Sequence, residues 1–182
     1  MDFIKIYDNV FSKEQCSYYI SLIQNGPQHP GRIAASNPKN AINSNIKISL
    51  DVNISEAYPN EVPYLIETVE KLMLKYQDNF KYRIPMKSCE LFTGRKYVEN
   101  EGFYKLHIDA GNAMTISRTV TVLIYLNFVN GGAIEFPLQE KIIYPAPGRV
   151  IMFPSGWTHP HQAFPSTKGD RYMMRTFIRA CN

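Results

Sequence analysis

The chain reads in two halves with different hydrophobic periods. Residues 3–7 (FIKIY) alternate apolar and polar positions, as a strand does when one face is buried. Ser12, followed three positions on by Gln15, is a capping box and predicts a helix whose apolar face is Cys16, Tyr19, Ile20 and Ile23. Asn25, Gly26 and Pro27 predict its end. Residues 27–46 have no period and are rich in Pro, Asn, Ser and Gly; so long an aperiodic stretch is expected to be a functional loop, and a lid is the role it suggests. Residues 47–52 (KISLDV) alternate again. Residues 61–78 predict a second helix with Leu65, Val69, Leu72, Met73 and Tyr76 along one face.

From about residue 86 the period is two. SCELFTG, FYKLHID, TVTVLIYLN, AIEFP, GRVIMFP and RYMMRTFI are short β-branched and aromatic segments separated by Gly, Pro and Asn, the signature of an antiparallel sandwich, barrel or jelly roll. The expected fold class is α+β, mainly β, with two helices buttressing one sheet. One domain is expected over residues 1–182, with helical support and a lid-like loop in 1–85 and the β core in 86–182.

Composition narrows the partners. The net charge of +4 comes without a Lys/Arg block, so a solvated surface accounts for it and no nucleic-acid partner is expected. The sequence has no apolar run long enough to span a bilayer and no signal-peptide pattern at MDFIKIYDNVF, which makes a cytoplasmic protein without a membrane partner the expectation. Cys16, Cys89 and Cys181 are an odd number without CxxC spacing; Cys16 and Cys89 sit in apolar periodic segments and are expected to be buried thiols.

The chemistry starts at FYKLHID. On a strand, His107 and Asp109 project to one side while Leu106 and Ile108 pack on the other. Such a pair can be a hydrogen-bonded couple or two of three metal ligands. Residues 153–178, FPSGWTHPHQAFPSTKGDRYMMRTFI, add His159 and His161 after one strand and Arg171 at the start of the next. Two imidazoles and a carboxylate on one side of an iron leave three positions open, enough for a chelating 2-oxo acid and oxygen. Hydrolytic zinc keeps one open position and would leave the arginine unexplained. A guanidinium can clamp the distal carboxylate of a 2-oxo diacid bidentately.

Tyr97, Gly102, Tyr104, His107, Asp109, Tyr125-Leu126-Asn127, Gly131-Gly132, Phe136-Pro137, Phe153-Pro154, His161 and Arg171 also follow one another in a known order. In this the chain resembles the Fe(II)/2-oxoglutarate-dependent dioxygenases of the prolyl 4-hydroxylase-like group. The resemblance implies a double-stranded β-helix, or jelly roll, with N-terminal helices packed on its major sheet. It implies Fe(II), 2-oxoglutarate and O2, with ascorbate as a supporting reductant. It further implies that His107, Asp109 and His161 bind the iron. Arg171, assisted by the Tyr125 hydroxyl, would pair with the C5 carboxylate of 2-oxoglutarate. Tyr97 would contact the co-substrate or pocket, a core tyrosine at a strand end being its other reading. His161 fits the family spacing, with Pro165, Gly169 and Arg171 four, eight and ten residues after it, which leaves His159 on the site rim or exposed.

The implied reaction is hydroxylation of a prolyl residue in a peptide or protein, with release of succinate and CO2. The same chemistry on a free amino acid, another side chain or an alkylated base is an alternative. So is a non-catalytic jelly-roll binding module, against which the full set of ligands and arginine argues.

The chain also departs from the pattern. Alternation puts Arg175 and Phe177 on the face of Arg171, where relatives carry a small or hydroxyl residue and a tryptophan. A second inward arginine is costly to bury without an acidic partner. Glu135 is one expected partner; otherwise Arg175 reaches the co-substrate or a carboxylate on the substrate. Arg175, Trp157 and Tyr104 are the candidate substrate contacts, Trp157 either lining the mouth or packing its turn. Asn127 reads as a turn residue and Met173-Met174 as ordinary packing.

Overall fold

The computed structural model describes residues 2–33, 41–80, 83–84 and 86–180. Ser12 caps the helix Lys13–Asn25 as expected: its Oγ accepts from the Gln15 N–H, and the Gln15 side chain accepts from the Ser12 N–H. The helix stops at Gly26, whose N–H donates to the Leu22 carbonyl. The second long helix, Val62–Gln77, follows the short turns Ile54–Ala57 and Pro59–Glu61.

Both helices bury the faces read from the sequence. Cys16, Tyr19 and Ile23 from one, and Leu65, Val69, Leu72, Met73 and Tyr76 from the other, share a core with Val120, Val122 and Ile124 of the strand Arg118–Tyr125. The alternate residues Leu123 and Tyr125 enter a second cluster inside the barrel with Phe136 and Phe153. The strand is therefore buried on both faces, each large apolar side chain contributing ~1.5–3 kcal/mol by burial. The first helix lies close on the sheet at Gly94, where an added Cβ would stand 2.5 Å from Ile23 Cγ1.

Seven strands of the larger sheet lie in the spatial order Lys5–Tyr7, Val150–Pro154, Arg118–Tyr125, Arg171–Arg179, Thr93–Tyr97, Leu50–Asn53 and His29–Pro30, and an eighth, Ser88–Cys89, pairs with the far end of Arg171–Arg179. The smaller sheet runs Lys141–Ile143, Ile134–Phe136, His161–Ala163, Phe103–His107 and Lys47–Ile48. All of these pairings are antiparallel. The fold is a mainly β jelly roll with helices on its larger sheet, as expected.

Three local expectations need correction. Residues 47–52 are two strands: Lys47–Ile48 pairs with Phe103 and Tyr104 in the smaller sheet, and Leu50–Asn53 with Thr93–Lys96 in the larger. The chain crosses between sheets at Ser49, so the N-terminal half supplies strands to both. Within 27–46, His29–Pro30 is an edge strand paired with Leu50 and Asp51; residues 34–40, the centre of the expected lid, lie outside the described residues. Leu106 does not pack, because the outer face of the smaller sheet is open to solvent and leaves it 54% exposed. Cys16 is buried and Cys89 half-buried, both free, and Cys181 lies outside the described residues. Among the described residues no helix is long and apolar enough to cross a membrane.

Candidate active site

Between the sheets lies a cavity of about 1290 Å³. Its wall brings together the residues that the sequence singled out.

The strand Phe103–His107 pairs with His161–Ala163 so that His107 and His161 stand directly opposite each other. Asp109 lies just past the strand end, held there by its N–H donating to the Ser155 carbonyl at 3.1 Å and by Arg118 Nη1 donating to the Asp109 carbonyl at 3.0 Å. Ligand atoms of His107, Asp109 and His161 all lie within 4.8 Å of one another. His107 Nε2 is 3.7 Å from Oδ1 of Asp109, and His161 Nε2 is 3.5 Å from Oδ2.

The imidazoles are oriented from behind. His107 Nδ1 bonds the Lys105 carbonyl at 2.8 Å and His161 Nδ1 the His159 carbonyl at 3.1 Å. A carbonyl only accepts, so each Nδ1 carries the proton and each Nε2 lone pair faces the cluster, the tautomer that a metal ligand needs. Burial, and then the neighbouring His161, push the His107 pKa down to about 3 and keep it neutral. Burial alone would raise the Asp109 carboxyl, but the hydrogen bond from the Thr121 hydroxyl and the positive charge of Arg175 act against it, and the carboxyl lies below the ordinary carboxylate value. Thr121 Oγ1 donates to Asp109 Oδ2 at 2.8 Å and stands 2.9 Å from Ser155 Oγ, whose proton it then accepts. Tyr104 stacks flat on His107, ring centroids 3.4 Å apart, and Phe153 packs edge-on against His161.

Arg171 is 1% exposed and lies over the Tyr97 ring at 4.1 Å. Its Nη1 donates to the Gly132 and Phe164 carbonyls. Gly131 and Gly132 both have positive φ, a left-handed pair that turns the Gly132 carbonyl toward the guanidinium. Nε and Nη2 of Arg171 are buried with no partner. Two orphaned N–H donors on one edge of a buried cation are what a carboxylate completes bidentately. Tyr125 is buried in the same chamber, where burial raises its hydroxyl to about 12 and keeps it a donor. These donors fit a divalent iron with a dicarboxylate co-substrate.

Other expectations change. His159 is 5% exposed, neither rim nor surface: its ring packs edge-on against Phe3 and its Nδ1 meets Thr158 Oγ1. It is drawn inward by the N-terminal segment, which the local sequence could not show. Glu135 bonds Gln162 Nε2 at 2.5 Å instead of Arg175; the two sit side by side on paired strands, which brings Gln162 closer. Trp157 is 78% exposed and stands apart from the cavity wall, neither lining the mouth nor packed under its turn. Asn127 is structural, bonding the Asp170 carbonyl and the Tyr172 N–H. Met174 packs in the helix-side core and Met173 in the inner cluster.

Sequence reasoning missed a buried ionic network in the same wall. Arg95 holds Asp51 through Nε and Nη2, both at 2.8 Å, while Lys47 Nζ reaches Asp51 Oδ2 at 3.0 Å. Arg95 Nη1 also donates to the Tyr97 hydroxyl at 3.4 Å, so the network supports the tyrosine beneath Arg171. The partners are 44 residues apart, and only the inward alternation of Arg95 with Tyr97 hinted at it.

Residues 92–179 match the sequence model of the 2OG-Fe(II) oxygenase superfamily. No curated protein matches the chain. Among solved structures, a prolyl hydroxylase from Trichoplax adhaerens, in complex with a hypoxia inducible factor oxygen degradation domain peptide fragment, overlays with a TM-score of 0.80 at 22% identity, covering 99% of this chain and 84% of that one. The viral collagen prolyl hydroxylase of Paramecium Bursaria Chlorella virus-1, in its 2OG complex, gives 0.71 at 18% identity over 99% of this chain and 97% of that one. A Pseudomonas putida prolyl-4-hydroxylase gives 0.74 at 15% identity, covering 98% and 93%. These overlays establish the shared jelly roll. The matched stretch, just under half of the chain, contains His107, Asp109, His161 and Arg171, and over it the chain is similar to the 2OG-Fe(II) oxygenase superfamily.

Proposed function

We propose that this Fe(II)- and 2-oxoglutarate-dependent oxygenase hydroxylates a prolyl residue in a peptide or protein. The observation that carries the proposal is the meeting, in one cavity, of the His-Asp-His cluster with a buried arginine offering two unpartnered donors. Similarity over almost the whole chain to a prolyl hydroxylase bound to a peptide fragment supports the peptide.

His107, Asp109 and His161 hold the iron, with Nδ1 bonds and the Thr121 hydroxyl fixing their geometry. Arg171 takes the C5 carboxylate of 2-oxoglutarate through Nε and Nη2, the Tyr125 hydroxyl donates to it, and Tyr97 supports the guanidinium face. Iron with 2-oxoglutarate would supply the oxidising power when bound: O2 would give one oxygen atom to the substrate C–H and the other to succinate, with CO2 released from the co-substrate. The protein orients both reactants and excludes water: the inner walls are Leu123, Ile134, Phe177 and Met173, and Tyr104 shields the open flank of His107.

The test is incubation with Fe(II), 2-oxoglutarate and O2 against proline-containing peptides and free amino acids, following succinate together with mass. The proposal expects substrate-stimulated succinate and one added oxygen on a prolyl residue. Succinate stimulated only by non-prolyl substrates would overturn the prolyl assignment.

A further inference from the structure

The cavity holds more positive charge than the proposed chemistry uses. Arg95 is matched by Asp51, and Arg118 by Glu90 through Nε and Nη2, each at 2.8 Å. Arg171 has its role with the dicarboxylate co-substrate. Arg175 remains. It lies on the same inward face of Arg171–Arg179, between Thr93 and Leu123 on the flanking strands, and lines the cavity together with the His-Asp-His cluster. Among the described residues its guanidinium has neither a hydrogen-bond nor an ion-pair partner. Its contact is the Phe177 ring, with Cζ 4.5 Å from the centroid, and Arg118 meets the same ring at 3.8 Å.

An arginine facing a partly closed cavity without a carboxylate is costly unless its anion arrives with a ligand. Burial, and then the nearby Arg95, lower its pKa to about 10, so it stays charged at neutral pH. Asp51 and Asp109 attract it across the cavity without bonding it, because their oxygens are committed, Asp51 to Arg95, Lys47 and Ser49 and Asp109 to Thr121 and the cluster with the two histidines, while Glu90 holds Arg118 and Arg179. Iron with Asp109, and 2-oxoglutarate with Arg171, balance to neutrality and leave Arg175 as surplus. The ring of Phe177 faces the guanidinium carbon and leaves the N–H edge free for a bidentate partner.

We propose that Arg175 anchors a carboxylate of the substrate, so that this oxygenase selects a reacting residue that carries, or stands beside, an acidic group. The inference rests on the proposed prolyl reading for the identity of that residue, but not for the anion. The substrate class is then an acidic prolyl substrate: proline flanked by Asp or Glu, or a proline whose own carboxylate is free.

The test is binding to the Fe(II)- and 2-oxoglutarate-loaded protein without oxygen, by calorimetry, using matched pairs: N-acetyl-L-proline against its amide, and Asp-flanked prolyl peptides against Asn-flanked ones. In the wild type, the better-bound acid should exceed its amide ~10–100-fold, the range of a charge-assisted bidentate contact. The ratio should fall to near one in Arg175→Met and recover in part in Arg175→Lys, while 2-oxoglutarate binding persists. Melting curves show that each variant is folded, and Arg175→Gln replaces any that is not. Equal affinity of acids and amides in the wild type would overturn the inference, as would a ratio that survives in Arg175→Met. A loss of 2-oxoglutarate affinity in Arg175→Met as large as the loss for the acids would assign Arg175 to the co-substrate and also overturn it. If acids and amides bind and are hydroxylated equally, the prolyl reading stands and the anchor falls. If prolyl probes fail but acidic free amino acids bind in an Arg175-dependent way, the anchor stands and the prolyl reading falls.

Discussion

Asp51→Asn tests how much the buried ionic network beside Tyr97 stabilises the fold. The substitution keeps the shape of the side chain but removes the one carboxylate that Arg95 grips twice and Lys47 touches, all with side chains no more than 5% exposed. Stranding a buried charge costs ~3–5 kcal/mol. Lys47 can relieve its share, because burial and then Arg95 already hold its pKa well below the ordinary lysine value, and it can shed its proton. Arg95 cannot, so the cost falls there. At about 2–4 °C per kcal/mol for a domain of this size, the melting midpoint should drop by ~6–20 °C. Removing the stranded cation as well, in Asp51→Asn/Arg95→Met, should recover much of the loss.

The pH dependence has a defined sign. The Asp51 carboxyl is held far below its ordinary value, burial being overcome by Arg95 and Lys47. Its stabilisation is fully present above the unfolded carboxyl value of ~3.9 and is lost as pH falls toward the depressed folded value, so the gap between wild type and Asp51→Asn should narrow below about pH 4. Calorimetric scans of the three proteins at two pH values provide the assay. A single-variant loss under ~1 kcal/mol, or a double variant worse than the single, would refute the reasoning.

Arg171→Met removes two donors to a buried carboxylate, each contributing ~1.5–3 kcal/mol, and should weaken 2-oxoglutarate binding at least ~100-fold in anaerobic calorimetry; unchanged affinity would contradict the assignment. His161→Ala should abolish iron binding by metal analysis, whereas His159→Ala should retain iron and lose only the packing against Phe3, and the reverse pattern would exchange their roles. Thr121→Val removes the hydroxyl bonded to Asp109 and should weaken iron ~10–100-fold, as supporting bonds to metal ligands do, which a metal competition titration would measure.

What could be read from the sequence was local or fixed in spacing. The Ser12 cap, the helix faces and the alternation of TVTVLIY depend on neighbours along the chain, and each appears in the structure. The cluster was legible because His107 and Asp109 share a strand end and because His161 and Arg171 keep a set interval after it. What escaped depends on contacts across the fold. Alternation in KISLDV could not say that Ser49 is a corner between two sheets. Nothing near His159 announces Phe3, far away at the N-terminus, as its packing partner. Nor could Glu135 reveal that Gln162, on the paired strand, is nearer to it than Arg175. The Asp51–Arg95 pair joins strands whose adjacency appears only once the sheet is assembled. Leu106 shows the limit of reading polarity alone, since this strand buries one face and leaves an apolar side chain on the other.

The most direct test of the central claim is anaerobic titration of the apoprotein with Fe(II) and then 2-oxoglutarate, watching for the visible metal-to-ligand charge-transfer band. Wild type should take up both ligands and develop the band, His161→Ala should lose it with the iron, and Arg171→Met should need far more 2-oxoglutarate to reach it. A folded, iron-loaded wild type that develops no band would contradict the assignment of this cavity as the iron and 2-oxoglutarate site.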